Sequence, residues 1–167
     1  MNKLAIAAFA TLAISGAAMA DTYPYNISVR GGVVFPVDKS YSNISSTFFG
    51  LGVDIALNKS LFKGGETFIS VDYQSKTLGR DKGSVFPIML NQKFWGAGKL
   101  NGTRTYTILG LGAVVVDYAG SSTTIGGRAG VGMELSEQAF TEAVLTLSDK
   151  TGGLRANGLG FYIGYRF

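Results

Sequence analysis

Apolar and polar residues alternate along much of this chain. In a β-strand successive side chains point to opposite faces, so a period of two predicts strands. The final ten residues show the pattern well, because Phe161, Ile163 and Tyr165 share one face. Tyr162 and Gly164 share the other. Eight such stretches follow one another, at residues 25–37, 47–57, 66–76, 85–95, 105–118, 124–135, 139–149 and 158–167.

The number and length of these stretches predict the architecture. Strands of about ten residues can cross a bilayer when tilted, and an even number of antiparallel strands can close into a barrel. We therefore predict an all-β fold, an eight-stranded antiparallel up-and-down transmembrane β-barrel. Pro87 has no N–H to donate to a strand ladder, which indicates that the fourth strand begins after it. The run ILGLGAVVV leaves the facing of the fifth strand open.

The start of the chain has a different character. Lys3 precedes an apolar run from Leu4 to Ile14, and small residues stand at Ala18 and Ala20. This order is typical of a secretory signal peptide cut after Ala20. A membrane-spanning anchor would need roughly 20 apolar residues, and this run is shorter.

Export changes how the rest of the composition is interpreted. We predict that residues 1–20 form a cleaved signal peptide and that residues 21–167 form one outer-membrane β-barrel domain. The sequence has no cysteine, so disulfides, on which small exported domains often rely, do not stabilise it. Without Lys3 the formal charge falls from +4 to +3, an excess too small to indicate nucleic-acid binding.

Alternation alone does not decide which face is inside. A soluble barrel also alternates, with its apolar face inward and its polar face in water. Here the polar face is rich in glycine and carries charges of both signs, which favours lipid on the outside. An eight-stranded barrel is just wide enough for side chains to fill it, and buried charges need partners. We therefore predict interior ion pairs among five basic and five acidic residues, namely Arg30, Asp54, Glu66, Asp72, Lys76, Lys93, Arg128, Glu134, Glu142 and Arg166.

Aromatic residues near the predicted strand ends suit the two membrane interfaces. Trp95 and Tyr162 fall on the polar face and are expected to point inward. We expect the interfacial girdles to include Tyr25, Phe35, Phe49, Tyr73, Phe86, Phe94, Tyr165 and Phe167.

Four segments of the chain carry a resemblance to a known family. FPIMLNQKFWG, YTILGLGAVVVDY, GRAGVGMELS and the closing GLGFYIGYRF resemble the outer-membrane β-barrel domain family, which includes OmpA-like, OmpX-like and opacity-type small surface proteins. The resemblance covers essentially the whole of residues 21–167 and implies location in a bacterial outer membrane. In such proteins a last strand ending in an aromatic residue resembles the signal read by the barrel-assembly machinery. Here that pattern comprises Phe161, Ile163, Tyr165 and Phe167.

The sequence disfavours catalysis. It contains no histidine, so sites that use a histidine as general base are excluded. Without His or Cys, only oxygen ligands remain for a metal. We predict no enzymatic activity, no catalytic or metal-binding residue and no cofactor. The predicted role is structural or surface-interacting; a narrow channel for small solutes is an alternative, and a soluble periplasmic ligand-binding barrel is less favoured.

The predicted location also predicts partners. We expect a monomer in contact with outer-membrane lipid, assembled with the help of periplasmic chaperones and the barrel-assembly machinery. With the N-terminus on the periplasmic side, segments 38–46, 77–84, 119–123 and 150–157 face outward. They carry a modest basic rim that could contact lipopolysaccharide phosphates or simply be solvated. Its residues are Lys39, Arg80, Lys82, Lys150 and Arg155.

Overall fold

The computed structural model describes residues 27–76, 83–100, 103–118 and 120–167. They include a short helix, α1 (Lys39–Ser42), between the first two strands. The strands are β1 (Ile27–Pro36), β2 (Phe48–Ala56), β3 (Gly65–Ser75), β4 (Ser84–Leu100), β5 (Thr103–Asp117), β6 (Ser121–Glu134), β7 (Ala139–Ser148) and β8 (Gly158–Arg166).

The eight strands form one closed barrel. Each strand pairs antiparallel with the next, and β8 pairs with β1. Arg30 shows the closure directly, because it lies opposite Gly52 on β2 and opposite Gly164 on β8. A closed barrel leaves no strand edge unpaired. The predicted eight-stranded antiparallel up-and-down barrel is confirmed.

The two ends of the barrel are distinguished by the chain termini. At the terminal end, Phe167 N–H donates to the Ile27 carbonyl at 2.9 Å, and the turn at residues 57–64 lies at this end too. The opposite end is called the loop end. It contains α1 in the β1–β2 connection and the described parts of the β3–β4, β5–β6 and β7–β8 connections. Among the described residues, no helix is long and apolar enough to cross a membrane.

Two strand boundaries differ from the prediction. β4 begins at Ser84, before Pro87, because the proline lies where the β3–β4 pairing is interrupted, between Val71↔Ile88 and Gln74↔Val85. A missing N–H costs nothing at that point. The predicted connection at residues 96–104 is largely strand, since β4 and β5 continue past a register shift that follows Trp95.

The facing of the strands follows the alternation. Even-numbered residues point inward on every strand except β4, where odd-numbered residues do, as the pairs Ser70↔Met89 and Met89↔Gly112 require. The fifth strand, which the sequence left open, therefore turns Tyr106 and Ile108 into the barrel, where both are buried. Leu111, on the other face, is 70% exposed.

The interior is not uniformly polar. Towards the loop end it is filled by an apolar cluster that the sequence did not predict, because valines and a phenylalanine occupy the face that otherwise carries glycine and charge. Towards the terminal end a smaller cluster contains Phe68, Tyr106 and Ile108. The loop-end cluster consists of Val34, Tyr41, Phe48, Val85, Met89, Val114, Val116, Val144, Leu154, Ala156 and Tyr162.

The expected aromatic girdle is present in part. Tyr73 is an exception: it is 4% exposed, because its ring packs 5.0 Å from that of Phe86 and Ser84 donates to its hydroxyl at 3.4 Å. Tyr162 is buried as expected, and Tyr25 lies outside the described residues. Phe86, Phe94 and Trp95 are half-buried. The exposed girdle residues are Phe35, Phe49, Tyr165 and Phe167.

Candidate functional site in the barrel interior

Arg30 is the centre of an ion-pair network inside the barrel. Its position on β1 points inward, and its guanidinium reaches carboxylates on three other strands. Nη2 donates to Asp72 Oδ1 at 2.8 Å, and Nη1 donates to Asp54 Oδ2 at 3.2 Å and to Glu142 Oε2 at 2.9 Å. The Arg30 side chain is 1% exposed. One arginine thus joins β1, β2, β3 and β7.

Arg128 extends the network to β6. Its Nη2 pairs with Asp72 Oδ2, and its Nη1 donates to Ser70 Oγ at 2.7 Å. Asp72 therefore bridges the two arginines. Tyr106 O–H donates to Glu142 Oε1 at 2.9 Å, which satisfies the other oxygen of that carboxylate.

Glycines provide the space for these side chains. A Cβ at Gly52 would collide with Asp72 Oδ1 and lie 2.8 Å from Arg30 Nε. A Cβ at Gly50 would lie 2.7 Å from the Tyr162 ring, which in turn lies 5.2 Å from the Arg30 guanidinium. The absence of side chains at these positions lets bulky groups cross the narrow interior.

Lys93 forms a second ion pair nearer the terminal end. Its Nζ donates to Glu66 Oε1 at 3.0 Å. The ammonium also lies 5.3 Å from the ring centres of Phe68 and Trp95 and 4.9 Å from that of Tyr106. Aromatic faces attract cations at such distances. The Lys93 ammonium therefore lies among three aromatic rings.

A third group of charges forms the rim of the terminal end. Arg166 Nη1 lies 3.2 Å from Glu134 Oε1, and Arg104 Nη1 lies 3.6 Å from Glu134 Oε2. The sequence analysis missed Arg104 because it placed residue 104 in a connection rather than in a strand. The guanidinium of Arg104 also lies 4.1 Å from the ring centre of Trp95.

The structure places nine of the ten predicted charged residues in these three groups. Lys76, the tenth, directly follows β3 and is exposed at the loop end. The sequence could indicate which residues point inward, but not which acid meets which base. Those partners depend on strand register and on how far each side chain reaches across the interior.

Tyr41 covers the interior at the loop end. It is 0% exposed, stacks on Phe48 at 4.3 Å and donates to Gln74 Oε1 at 3.1 Å. Burial raises the pKa of its phenol.

α1 positions this ring, and Asp38 caps α1 by accepting from Ser40 N–H at 2.8 Å. The sequence analysis missed Tyr41 because a four-residue helix has no periodicity to detect.

The hydrogen bonds from Ser40, first from its hydroxyl and then from its amide, lower the pKa of Asp38. Of the predicted basic rim, Lys39, Lys150 and Arg155 are described and lie at this end. Arg80 and Lys82 lie outside the described residues.

The four residues of the predicted assembly signal lie on the outer face at the end of the chain. Phe161, Ile163, Tyr165 and Phe167 are all exposed. The Tyr165 and Phe167 rings contact each other edge to face at 5.1 Å. No group of three or more His, Cys, Asp or Glu in the described part of the chain is placed to hold a metal ion.

No protein-family model matches the sequence, and neither does any curated protein. Solved structures do match. The outer membrane enzyme PagL is 14% identical, with a TM-score of 0.56, over 85% of this chain and 98% of that one. Neisserial surface protein A is 11% identical, with a TM-score of 0.54, over 86% and 97%. Ail, the attachment invasion locus protein of Yersinia pestis, is 13% identical, with a TM-score of 0.51, over 85% and 98%.

The chain therefore has the fold of the small eight-stranded outer-membrane barrels. The matched proteins carry different descriptions, since one is an outer membrane enzyme and another is named for an attachment invasion locus. At these identities the likeness concerns the architecture, and a shared fold does not define an activity.

Proposed function

We propose that this chain is an integral β-barrel protein of the bacterial outer membrane with a non-enzymatic structural or surface-interacting role. The observation that carries the proposal is an apolar belt, a set of large hydrophobic residues exposed on the outer face of every strand. The belt consists of Phe35, Phe49, Leu51, Ile69, Ile88, Leu90, Leu109, Leu111, Ile125, Val131, Leu147, Phe161 and Ile163.

Physical chemistry favours lipid around this belt. Fully burying a side chain of this size contributes about 1.5–3 kcal/mol relative to leaving it in water, and soluble monomers rarely expose contiguous apolar patches beyond a few hundred Å². The interior shows the opposite arrangement, since Arg30, Asp72 and Arg128 are buried within it. Outward apolar and inward charged residues are the arrangement expected of a barrel in a bilayer.

A non-enzymatic role is supported by the chemistry of the interior. Asp54, Asp72 and Glu142 are all paired with Arg30 inside the barrel, so these carboxylates are occupied by structural contacts. With no histidine in the sequence, the familiar general base of hydrolytic sites is absent.

A closed interior is favoured over a channel. The loop-end apolar cluster, the Arg30 network and the Lys93–Glu66 ion pair follow one another along the barrel axis, and their side chains occupy the interior. In planar bilayers we expect no stable open conductance. A reproducible open level would favour the narrow channel instead.

The route to the membrane is part of the proposal. Residues 1–20 serve as a cleaved export signal, residues 21–167 form the barrel domain, and the exposed aromatic end at Phe167 is read by the assembly machinery. The basic loop end, including Lys39, Lys150 and Arg155, faces the lipopolysaccharide.

Cell fractionation tests the proposal. The full-length chain is expressed with its own first twenty residues in a Gram-negative host, and its envelope fractions are separated. We expect mature protein in the outer-membrane fraction that resists extraction with carbonate and dissolves only in detergent. Recovery in the soluble periplasm without detergent would overturn the proposal.

A further inference from the structure

The turn at residues 57–64 folds back onto the outside of the barrel. Leu57 N–H donates to the Thr67 carbonyl at 2.8 Å, and Leu61 N–H donates to Thr67 Oγ1 at 2.8 Å. The tip of the turn then exposes Leu61 and Phe62, which are 64% and 58% accessible. This segment is therefore fixed beside the barrel wall with apolar side chains outward.

Two buried polar residues attach the turn to the barrel wall. Thr67 and Gln92 face outward by register yet are 0% and 5% exposed. Thr67 Oγ1 donates to Gln92 Oε1 at 2.6 Å, and Gln92 Nε2 donates to Ser60 Oγ at 3.0 Å. These bonds satisfy the polar groups inside the contact. Hydrogen bonds therefore hold the turn in a defined position on the outer surface of the barrel.

A groove runs from this turn across the outer wall. Its volume is about 620 Å³. Phe62 and Phe94, whose ring centres are 6.0 Å apart, lie at one end, and Leu147 on β7 lies at the other. The floor of the groove is formed by Gly127 and Ala129 on β6, whose side chains are small. Larger side chains stand on either side, Leu109 and Leu111 on β5 and Leu147 on β7. Crossing from β4 to β7 gives a length of about 14 Å, which suits part of an acyl chain.

The positive charge of the turn favours a lipid with an anionic head group. Lys59 and Lys63 flank Leu61 and Phe62, both lysines are exposed, and residues 57–64 contain no acidic residue. Lysines beside a membrane surface attract anionic lipid, and their apolar stems can lie along the wall while the ammonium groups reach the interface. The terminal end faces the periplasm in the proposed orientation, where the nearer leaflet is phospholipid.

We propose that the turn 57–64 and the adjoining groove form a binding site for one anionic glycerophospholipid of the periplasmic leaflet. Lys59 and Lys63 bind the head-group phosphate, and the groove holds one acyl chain. This inference rests on the proposed membrane location. It adds a specific lipid partner and a position on the barrel.

Native mass spectrometry of the folded barrel tests the site. The protein is refolded in detergent with equal amounts of palmitoyl-oleoyl phosphatidylglycerol and phosphatidylcholine, and retained lipids are identified by mass. We expect one phosphatidylglycerol retained in preference to phosphatidylcholine. In K59Q/K63Q this preference should fall about 25-fold, because each lysine contributes roughly fivefold. The matched control K39Q/K150Q removes two lysines at the loop end and should retain the preference.

A second pair of variants tests the groove without changing charge. A Cβ at Gly127 would meet only ordinary contacts at 3.8 Å, so Gly127→Leu should fold and fill the groove floor. It should lose both lipids. Gly31→Leu places the same side chain on the outer face of β1, away from the groove, and should retain phosphatidylglycerol.

Folding is checked first by the heat-dependent shift of the barrel in gel electrophoresis. A protein that does not fold in detergent or lipid would contradict the membrane proposal itself. A folded barrel that retains both lipids equally, or that keeps its preference in K59Q/K63Q, would overturn only the lipid site. A dimer that buries the groove and excludes lipid would overturn the lipid site too, because a second copy of the chain would then occupy the groove.

Discussion

Arg30 is the side chain on which most of the interior network depends. It pairs with the carboxylates of Asp54, Asp72 and Glu142, and of these Asp72 also pairs with Arg128. Removing one partner of a buried ion pair typically costs about 3–5 kcal/mol, because the remaining charge stays buried. We predict that Arg30→Met lowers the free energy of unfolding by about 3–5 kcal/mol, measured by urea unfolding in lipid vesicles with Trp95 fluorescence.

Arg104→Met is the matched control for this substitution. The Arg104 side chain is 53% exposed, and its Nη1 lies 3.6 Å from Glu134 Oε2, which is a long separation for an ion pair. Exposed ion pairs contribute about 1 kcal/mol or less, so the loss should be correspondingly small. Equal losses for the two variants would contradict a network centred on Arg30.

Gly52 is needed for clearance rather than for a special backbone conformation. An added Cβ would collide with Asp72 Oδ1 and crowd Arg30, two groups that the ion pairs hold in place. Overpacking of this kind costs about 1–3 kcal/mol, so we predict that Gly52→Ala lowers the free energy of unfolding by that amount. At Gly31 the nearest atom to an added Cβ is Leu51 Cδ2 at 3.5 Å, and Gly31→Ala should be neutral or slightly stabilising. The same unfolding assay compares them, and a larger loss at Gly31 would refute the clearance argument.

The short helix α1 depends on its cap, and the cap is sensitive to pH. Hydrogen bonds from Ser40 lower the folded-state pKa of Asp38. Such a carboxylate stabilises the fold above its ordinary pKa of about 4, and the stabilisation is lost as the pH falls through the lower folded pKa. We predict that Ser40→Ala raises the Asp38 titration midpoint, measured by carboxyl ¹³C NMR in micelles. An unchanged midpoint would show that the bond from the Ser40 hydroxyl does not govern this group.

Strand facing could be predicted because one face of each strand is buried and the other contacts a different medium. That condition fails at the ends of elements. The β4–β5 hairpin continues to Leu100 and Thr103 with residues GAGKL, which do not alternate, so its backbone pairing leaves no pattern in the sequence. Pro87 also led to a strand that was predicted too short, because a proline interrupts a strand only where its N–H is needed.

The interior partners could be predicted less well than the strands. Alternation places Arg30 and Asp72 on the inner face, but their contact crosses from β1 past β2 to β3. Such contacts depend on the tilt and radius of the closed barrel. Val34 and Phe48 occupy polar-face positions without any local signal, so the loop-end apolar cluster was not predicted.

For the whole molecule, the fold and the composition of its faces support the same interpretation. The barrel is closed, its inward-facing charged residues form ion pairs, and its apolar belt surrounds it. A soluble barrel of this size would require the reverse arrangement. The central claim is therefore that the apolar belt contacts lipid.

Spin labelling tests that claim most directly, since the sequence has no cysteine to compete with introduced ones. Leu109, Leu111 and Ile163 are 57%, 70% and 68% exposed on the outer face, and Glu137 is exposed on the β6–β7 turn. Each is replaced by a spin-labelled cysteine in the barrel reconstituted into a bilayer. We predict that the first three labels are accessible to oxygen and protected from a water-soluble nickel chelate, and that label 137 is accessible to the chelate. Equal chelate access at all four positions would contradict the membrane barrel.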